Sequence, residues 1–545
     1  MTDDAHRVQT LMAAGLSSAD FGTAPPRVDI PRVYNAAHDL CERNLAAGRA
    51  GKTAFIDDRG ATTYGELAHR VDRFGSALLA LGMRPEERAL LALHDTIDFP
   101  AAFLGAIKAG VVPIAANTLL TTADYEYMLR DSRARALVVS APLLPVFAPL
   151  LGNVPSLAHV IVSGAADALP AGAIAFDALV ARGHERLEPA DTTRDDVAFW
   201  LYSSGSTGAP KGTMHAHASL VTTGYLHGVP IVGVREDDVV FSAAKLFFAY
   251  GLGNALTYPM TVGATAILMA ERPTPEAVFK RLVERRPTVF YGVPTLFAAM
   301  LASGALPARA SVALRVATSA GEALPEHIGR RFTEHFGVDV LDGLGSTEML
   351  HVYLSNRAGD LRYGTSGRPV PGYELRIADD DGAPVAPGEI GELQVKGPTA
   401  AIGYWNNRAK TLATFQGPWM KSGDKYRIDP ADGRYVYSGR TDDMLKVGGI
   451  YVSPVEVESA LGAHEAVLEA AVIGRPDADG LVKPMAYVVL KAGRLRSDAL
   501  AEELRQHVKL HLAPYKFPRW VEFLDELPKT ATGKIQRFKL RAKLK

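Results

Sequence analysis

Apolar side chains recur along the chain with two periods, and their alternation outlines the fold. Between residues 63 and 81 they fall at Leu67, Val71, Phe74, Leu78 and Leu81. Spacings of three and four put these on one face of a helix, which Thr63-Tyr64-Gly65-Glu66 opens. Residues 89–93 form a short apolar run of strand length. Residues 99–109 return to helical spacing and stop at Gly110, a helix terminator. Runs at 111–114 and 136–139 read as buried strands, and the same texture continues at 239–241, 264–268 and 289–291. Such alternation predicts parallel sheets wrapped by helices.

After about Gly364 the pattern changes. Turn signals crowd in at Asp381-Gly382, Pro387-Gly388, Gly391 and Asp432-Gly433, with alternating stretches such as Glu392-Leu393-Gln394-Val395 between them. This predicts an antiparallel, barrel-like β portion. From about Thr441 the chain is mixed α+β and runs to a Lys-rich end. Residues up to about Pro31 read as a polar, Pro-containing leader. No internal repeat or low-complexity block is present. The expected fold class is therefore α/β. A large N-terminal region, residues 1–439, holds wrapped β-sheets and a barrel-like portion, and a smaller α+β C-terminal domain occupies residues 444–545.

Length and composition narrow the functional classes. A chain of 545 residues accommodates three or so folding units. Basic side chains number 59 and acidic ones 60, so no global field draws the chain to nucleic acid or an anionic membrane. Any polyanion it binds must be held locally. The lone cysteine, Cys41, allows neither an internal disulfide nor a Cys-based zinc site, and its expected role is packing. The N-terminus lacks an apolar signal region, and no uncharged apolar stretch approaches the ~18 residues of a spanning helix. The expectation is a soluble cytoplasmic protein.

The richest local chemistry follows a strand-like run, Val197-Ala198-Phe199-Trp200-Leu201. It leads into Tyr202-Ser203-Ser204-Gly205-Ser206-Thr207-Gly208-Ala209-Pro210-Lys211-Gly212. Glycines let backbone N–H groups close around an anion, hydroxyls add donors, and the lysine adds charge. A nucleotide triphosphate tail is the natural guest. The stretch is not a Walker A loop, because Pro210 rather than glycine precedes Lys211. Gly51-Lys52-Thr53 fails the same test, since Ala46 stands where the first Walker glycine belongs. Gly251-Leu252-Gly253 and Gly343-Leu344-Gly345 lack the third glycine of a dinucleotide fingerprint. The absence of Gly-x-Ser-x-Gly disfavours a hydrolase elbow.

Several ordered motifs, spread over nearly the whole chain, resemble those of the adenylate-forming superfamily of acyl-CoA synthetases, luciferases and peptide-synthetase adenylation domains. Residues 202–212 are similar to the family's phosphate-binding loop, with Ser203, Ser204, Ser206, Thr207, Gly208 and Lys211 as its contacts. Leu344-Gly345-Ser346-Thr347-Glu348 is similar to its second nucleotide motif. The resemblance implies that Thr347 bonds the α-phosphate and Glu348 holds Mg²⁺, a hard cation that takes carboxylate and phosphate oxygens. Ser319-Ala320-Gly321-Glu322-Ala323-Leu324 resembles the adenine-side loop, faced by Asp342-Gly343-Leu344. Asp424 of Ser422-Gly423-Asp424 and Arg440 of Tyr437-Ser438-Gly439-Arg440 match the ribose-binding positions.

The same resemblance places an inter-domain hinge at 440–443, centred on Asp442. It puts Gly448 and Gly449 along the pantetheine tunnel, and Tyr515 and Lys516 beside coenzyme A. Some members of the family carry arginine where this chain has Phe517. Pro528-Lys529-Thr530-Ala531-Thr532-Gly533-Lys534-Ile535 resembles the terminal catalytic-lysine motif. A lysine there bridges a carboxylate and an α-phosphate that would otherwise repel. ATP, Mg²⁺ and coenzyme A are the implied cofactor and co-substrates.

Lys245-Leu246-Phe247-Phe248-Ala249-Tyr250-Gly251-Leu252-Gly253-Asn254 occupies the acyl-pocket position. With Glu348-Met349-Leu350-His351-Val352-Tyr353, its wording is similar to that of the family's benzoate–CoA ligases. One planar ring wants an aromatic wall, room at its edge and a closed floor. Tyr250 is the expected wall and Ala249 and Gly251 the room. His351 and Val352 are expected to form the floor, and Lys446 to meet the carboxylate. The implied activity converts benzoate, ATP and coenzyme A to benzoyl-CoA through an acyl-adenylate. A substituted benzoate, a carrier-protein acceptor, a non-catalytic nucleotide module and a luciferase-type oxygenase remain as alternatives. A homodimer is carried as the assembly, although oligomeric state is not legible from these residues.

Overall fold

The protein is described from a computed structural model covering residues 14–166, 168–205, 208–379, 381–441, 443–447, 450–478, 481–512, 516–529 and 535–544. The helix expected at 63–81 spans Tyr64–Ala80. Its start is a capping box: the Glu66 N–H donates to the Thr63 hydroxyl at 3.2 Å, and the Thr63 N–H donates to the Glu66 carboxylate at 2.8 Å. The next helix, Asp98–Lys108, ends as Gly110 predicts. Gly110 takes φ +76°, and the Val111 N–H returns to the Ala106 carbonyl at 2.9 Å.

Among the described residues the strands form two large sheets. One runs Gly403–Tyr404, Gly208–Ala216, Val197–Gly205, Val112–Ala115, Arg88–Ala92, Ala136–Ser140, His159–Ser163, Ile174–Ala175. The other runs Arg368–Pro369, Val352–Ser355, Val340–Gly345, Val316–Ser319, Val289–Gly292, Val239–Ser242, Thr265–Ile267, Thr53–Asp57, Gly60–Thr63. The central pairings are parallel, as the unbroken apolar runs require. The two early helices lie between the sheets. Phe74, Phe99 and Phe103 share one core with Leu91 and Val138 of the first sheet and Val240 and Ala266 of the second.

The predicted antiparallel portion is a five-stranded sheet built on Glu374–Ala378, Gly391–Lys396 and Trp419–Ile428, with Tyr435–Arg440 alongside. Beyond it, Val467–Pro476, Val482–Leu490 and Trp520–Phe523 form a separate three-stranded sheet with helices Pro454–Gly462, Asp498–His511 and Arg537–Ala542. The apolar clusters of this last part contain only residues from Leu445 onward. No described helix is long and apolar enough to cross a membrane.

The leader expected up to Pro31 is in part built into the body. Leu16 and Ser17 are buried, and the Ser17 hydroxyl donates to buried Asp39 at 2.5 Å. A contact between Ser17 and Asp39, 22 residues apart, leaves no mark in a hydropathy pattern. Cys41 is buried, and burial pushes its thiol up to about 12, in keeping with packing.

Candidate active site

The glycine-rich stretch is an antiparallel hairpin. Val197–Gly205 pairs with Gly208–Ala216, so Tyr202 faces Gly212 and Ser203 faces Lys211. Ser206 and Thr207 lie outside the described residues. The sheet order puts Gly403–Tyr404 on the far side of the second strand, with Tyr404 opposite Thr213.

This arrangement gathers residues far apart in sequence around one carboxylate. The Ser203 hydroxyl donates to Glu348 Oε1 at 3.2 Å, and the Tyr404 hydroxyl donates to the same oxygen at 2.8 Å. The backbone of Glu348 is held as well, its carbonyl accepting from the Ala401 N–H at 2.8 Å. The Lys211 ammonium lies 4.9 Å from the Tyr404 ring centroid. Burial lowers the Lys211 pKa; Glu348 opposes that shift, while Lys410 and Arg440 add to it. Arg440 thus lies within electrostatic reach of the hairpin. Its guanidinium donates to Asp424 at 3.0 Å across the strand pair Trp419–Ile428 and Tyr435–Arg440.

Ser319 and Asp342 are register partners on adjacent parallel strands. The Leu324 N–H reaches back to Asp342 Oδ2 at 3.4 Å, closing the 319–324 loop onto the carboxylate. Ala320 is buried at the loop's start; Gly321 is exposed at φ +93°, with half-buried Glu322 beside it. Asp342 is buried, one of its oxygens has no protein partner among the described residues, and burial pushes its pKa up to about 8. Gly343 packs closely on Val352, the first residue of the next strand.

Thr347 and Glu348 lie in a short 3₁₀ turn, Thr347–Met349, capped by Ser346. The turn exits through Leu350 at φ 64° and ψ −39°, with the His351 N–H bonded to the Met349 carbonyl at 2.8 Å. This is a γ-turn of positive φ, a strained form that persists only where its surroundings enforce it. It delivers His351 beside Tyr250, ring centroids 5.6 Å apart. Tyr250 is half-buried on a one-turn helix, Ala249–Leu252, and its hydroxyl meets Thr318 Oγ1 at 2.6 Å.

A Cβ on Gly251 would lie 2.0 Å from the Lys245 carbonyl oxygen, so close backbone packing requires glycine there. The missing side chain of Gly253 admits the His351 ring. Lys516 is held by both oxygens of Glu456 at 2.7 Å. Thr347, Leu344, Ala249 and Val352 fall in the elements that carry their motifs. Asp442, Gly448, Gly449, Tyr515 and Lys534 lie outside the described residues; for Ser204, Gly208 and Lys446 only the backbone is described. The sequence reading missed Tyr404, although Gly403-Tyr404-Trp405, two aromatics straight after a glycine, was a visible signal. It also missed Tyr258 and His227, which carry no motif.

Two wrapped sheets, a hydroxyl-rich hairpin facing a held carboxylate and a separate C-terminal unit define a nucleotide-binding enzyme of modular build. The sequence profile of the AMP-binding enzyme family matches residues 42–405, and that of the AMP-binding enzyme C-terminal domain matches residues 456–534. The chain belongs to the AMP-binding enzyme family, and the resemblance to adenylate-forming enzymes is borne out. It is 63% identical to the benzoate–CoA ligase of Thauera aromatica, over 97% of this chain and 99% of that protein. It is 51% identical to a 4-hydroxybenzoate–CoA/benzoate–CoA ligase of Rhodopseudomonas palustris, over 94% of each. A solved benzoate CoA ligase from Burkholderia xenovorans LB400 superposes with a TM-score of 0.87 at 59% identity, covering 93% of this chain and 100% of that one.

Proposed function

We propose that the chain converts benzoate, ATP and coenzyme A to benzoyl-CoA, AMP and pyrophosphate through benzoyl-AMP. The observation that carries this reading is the near-full-length identity to the Thauera aromatica ligase. The aromatic corner of Tyr250 and His351 supports a one-ring acid. In the first half-reaction a benzoate oxygen attacks the α-phosphorus and pyrophosphate leaves. Lys211 and the hairpin N–H groups hold the phosphates, Thr347 bonds the α-phosphate, and Lys534 neutralises the two approaching anions. Ser203, Ser204, Ser206, Thr207 and Gly208 form the phosphate cradle. Ser319, Ala320, Gly321, Glu322, Asp342, Gly343 and Leu344 enclose the adenine, and Asp424 and Arg440 hold the ribose.

Glu348 fits a Mg²⁺ ligand, because both protein donors converge on Oε1 and leave Oε2 without a protein partner among the described residues. The cation, when bound, neutralises phosphate charge. Lys446 meets the acid's carboxylate. In the second half-reaction the thiol of coenzyme A attacks the mixed anhydride and AMP leaves, with Gly448 and Gly449 flanking the thiol arm and Tyr515 and Lys516 near the nucleotide end.

The division into residues 1–439, a hinge at 440–443 and a mobile unit of 444–545 belongs to the same proposal. The separate apolar clusters from Leu445 onward support it, and the hinge residue Asp443 accepts from Arg541 of the mobile unit at 2.9 Å. Asp442→Pro stiffens the backbone at the hinge. It is expected to spare pyrophosphate release from benzoate and ATP and to slow thioester formation from supplied benzoyl-AMP, read by separate half-reaction assays. Equal loss in both halves argues against a rotating unit.

A substituted ring is the second reading, favoured by the Rhodopseudomonas palustris relative whose name pairs two acids. Hydrophobic pockets separate such rings by only about 1–3 kcal/mol. A pyrophosphate-release assay over benzoate, 2-amino-, 3-hydroxy-, 4-hydroxy- and fluorobenzoate and aliphatic acids, with and without coenzyme A, tests both. Benzoate is expected to give the highest kcat/KM, and an aliphatic optimum would refute the aromatic reading. Cytoplasmic location and a homodimer complete the proposal, the latter checked by sedimentation equilibrium.

A further inference from the structure

Behind His351 lies a buried chain of polar groups that neither the motifs nor the proposed reaction uses. The His227 Nδ1 lies 2.9 Å from the Tyr258 hydroxyl, and that hydroxyl lies 2.5 Å from His351 Nδ1. At the far side of the ring, His351 Nε2 lies 3.2 Å from the Tyr250 carbonyl oxygen. All four residues stand in one aromatic layer, with Tyr258 and His351 ring centroids 4.7 Å apart and those of His227 and His351 5.6 Å apart.

Glycines make this layer. A Cβ on Gly228 would meet the Tyr258 ring at 2.7 Å, and one on Gly253 would meet the His351 ring at 2.2 Å. His227 and Gly228 sit in a π-helical segment, Gly224–Val232, and Gly253–Thr257 is another, immediately before Tyr258. Such segments are uncommon and concentrate at functional sites.

Proton accounting fixes the direction of every bond. A carbonyl oxygen only accepts, so His351 must carry its proton on Nε2 and donate it to Tyr250. Burial pushes the His351 pKa down to about 3, so the ring is neutral and Nδ1 is bare. Nδ1 then accepts the one hydroxyl proton of Tyr258. With that proton used, the Tyr258 oxygen can only accept, and His227 must donate from Nδ1. Burial also lowers the His227 pKa well below its ordinary value, leaving its Nε2 bare.

We infer that Tyr258 is a positioning residue for the acyl end of the site: it locks His351 in the Nε2–H form with its only donor spent on the Tyr250 backbone, so that the floor offers no hydrogen to a ring substituent. This rests on the reading of His351 as the floor of an aromatic-acid pocket. The strained turn at Leu350 sets the backbone of His351, and the relay sets its ring. A hydroxylated ring entering such a pocket buries its substituent without a donor from His351, which favours the unsubstituted acid.

The test uses the full-length enzyme. Long-range ¹⁵N–¹H spectra of ¹⁵N-histidine protein, assigned with His351→Gln and His227→Gln, are expected to show His351 protonated on Nε2 and His227 on Nδ1. Tyr258→Phe keeps the ring against Gly228 and removes the hydroxyl. It is expected to raise KM for benzoate about tenfold and leave KM for ATP unchanged. The kcat/KM ratio of 3- or 4-hydroxybenzoate to benzoate is expected to rise, because a freed His351 can turn a donor to the ring. Tyr291→Phe is the control: its buried hydroxyl has no protein partner among the described residues, its ring centroid is 6.5 Å from that of Tyr258, and both KM values should stay put.

His351 protonated on Nδ1 overturns the inference, whether or not Tyr258→Phe folds. So does a Tyr258→Phe enzyme with wild-type KM and wild-type selectivity. A wild-type enzyme with the expected tautomers that activates no aromatic acid refutes the proposed function instead, and with it the selectivity assigned to the relay.

Discussion

Lys534→Ala is expected to slow pyrophosphate release from benzoate and ATP by on the order of 10²–10³ or more, while thioester formation from supplied benzoyl-AMP and coenzyme A continues near the wild-type rate. The physical reason is charge. A carboxylate approaching an α-phosphate brings two anions together, and their repulsion is largest at the pentacovalent transition state. A lysine ammonium shared between them stabilises that state more than the separated reactants, so its removal acts on kcat. The mixed anhydride no longer presents that problem, because the attacking thiol meets a neutral carbonyl. The flanks of the motif are held by their own contacts. Lys529 is paired with Glu469 at 2.6 Å, Lys529 and Ile535 are bridged antiparallel, and the Gln536 N–H donates to the Pro528 carbonyl at 2.8 Å. Lys534→Ala should therefore leave the melting temperature unchanged. Adenylation at wild-type speed by this variant would remove Lys534 from the reaction.

Glu348→Gln is the second large effect. Glutamine keeps a carbonyl oxygen to accept from Ser203 and Tyr404, so the fold of the turn survives, but the negative charge is gone. A hard divalent cation bound through a carboxylate and phosphate oxygens loses its protein anchor. Pyrophosphate release is expected to fall by on the order of 10²–10³. The Mg²⁺ concentration for half-maximal rate should rise, and Mg·ATP binding measured by calorimetry should weaken in parallel. A structural role for Glu348 would lower the melting temperature without moving the Mg²⁺ dependence, which is the outcome that would count against the assignment.

The tethers on Glu348 show how unevenly this site was legible. Thr347 and Glu348 stand out through the order of the motifs around them. That Ser203 and Tyr404 both aim at one oxygen of Glu348 does not, because the three meet only after a hairpin pairs with an edge strand. The glycine-rich stretch likewise announced phosphate chemistry by composition, but its hairpin form comes from strand pairing. Gly251 and Gly253 are indistinguishable on the page of letters. Folded, one faces a backbone carbonyl and the other a histidine ring.

Legible from the letters alone were the α/β class, the parallel strands, the change to antiparallel β after Gly364, the helix ends at Thr63 and Gly110, and the motif residues that place the chain in its family. These follow from local periodicity and from side-chain chemistry carried by contiguous residues. Tertiary structure alone decided which oxygen of Glu348 stays open, that Ser17 is buried on Asp39, and that Tyr258 stands between two histidines. Each of these is a contact between segments remote in sequence, and no local pattern encodes the register at which packed elements meet.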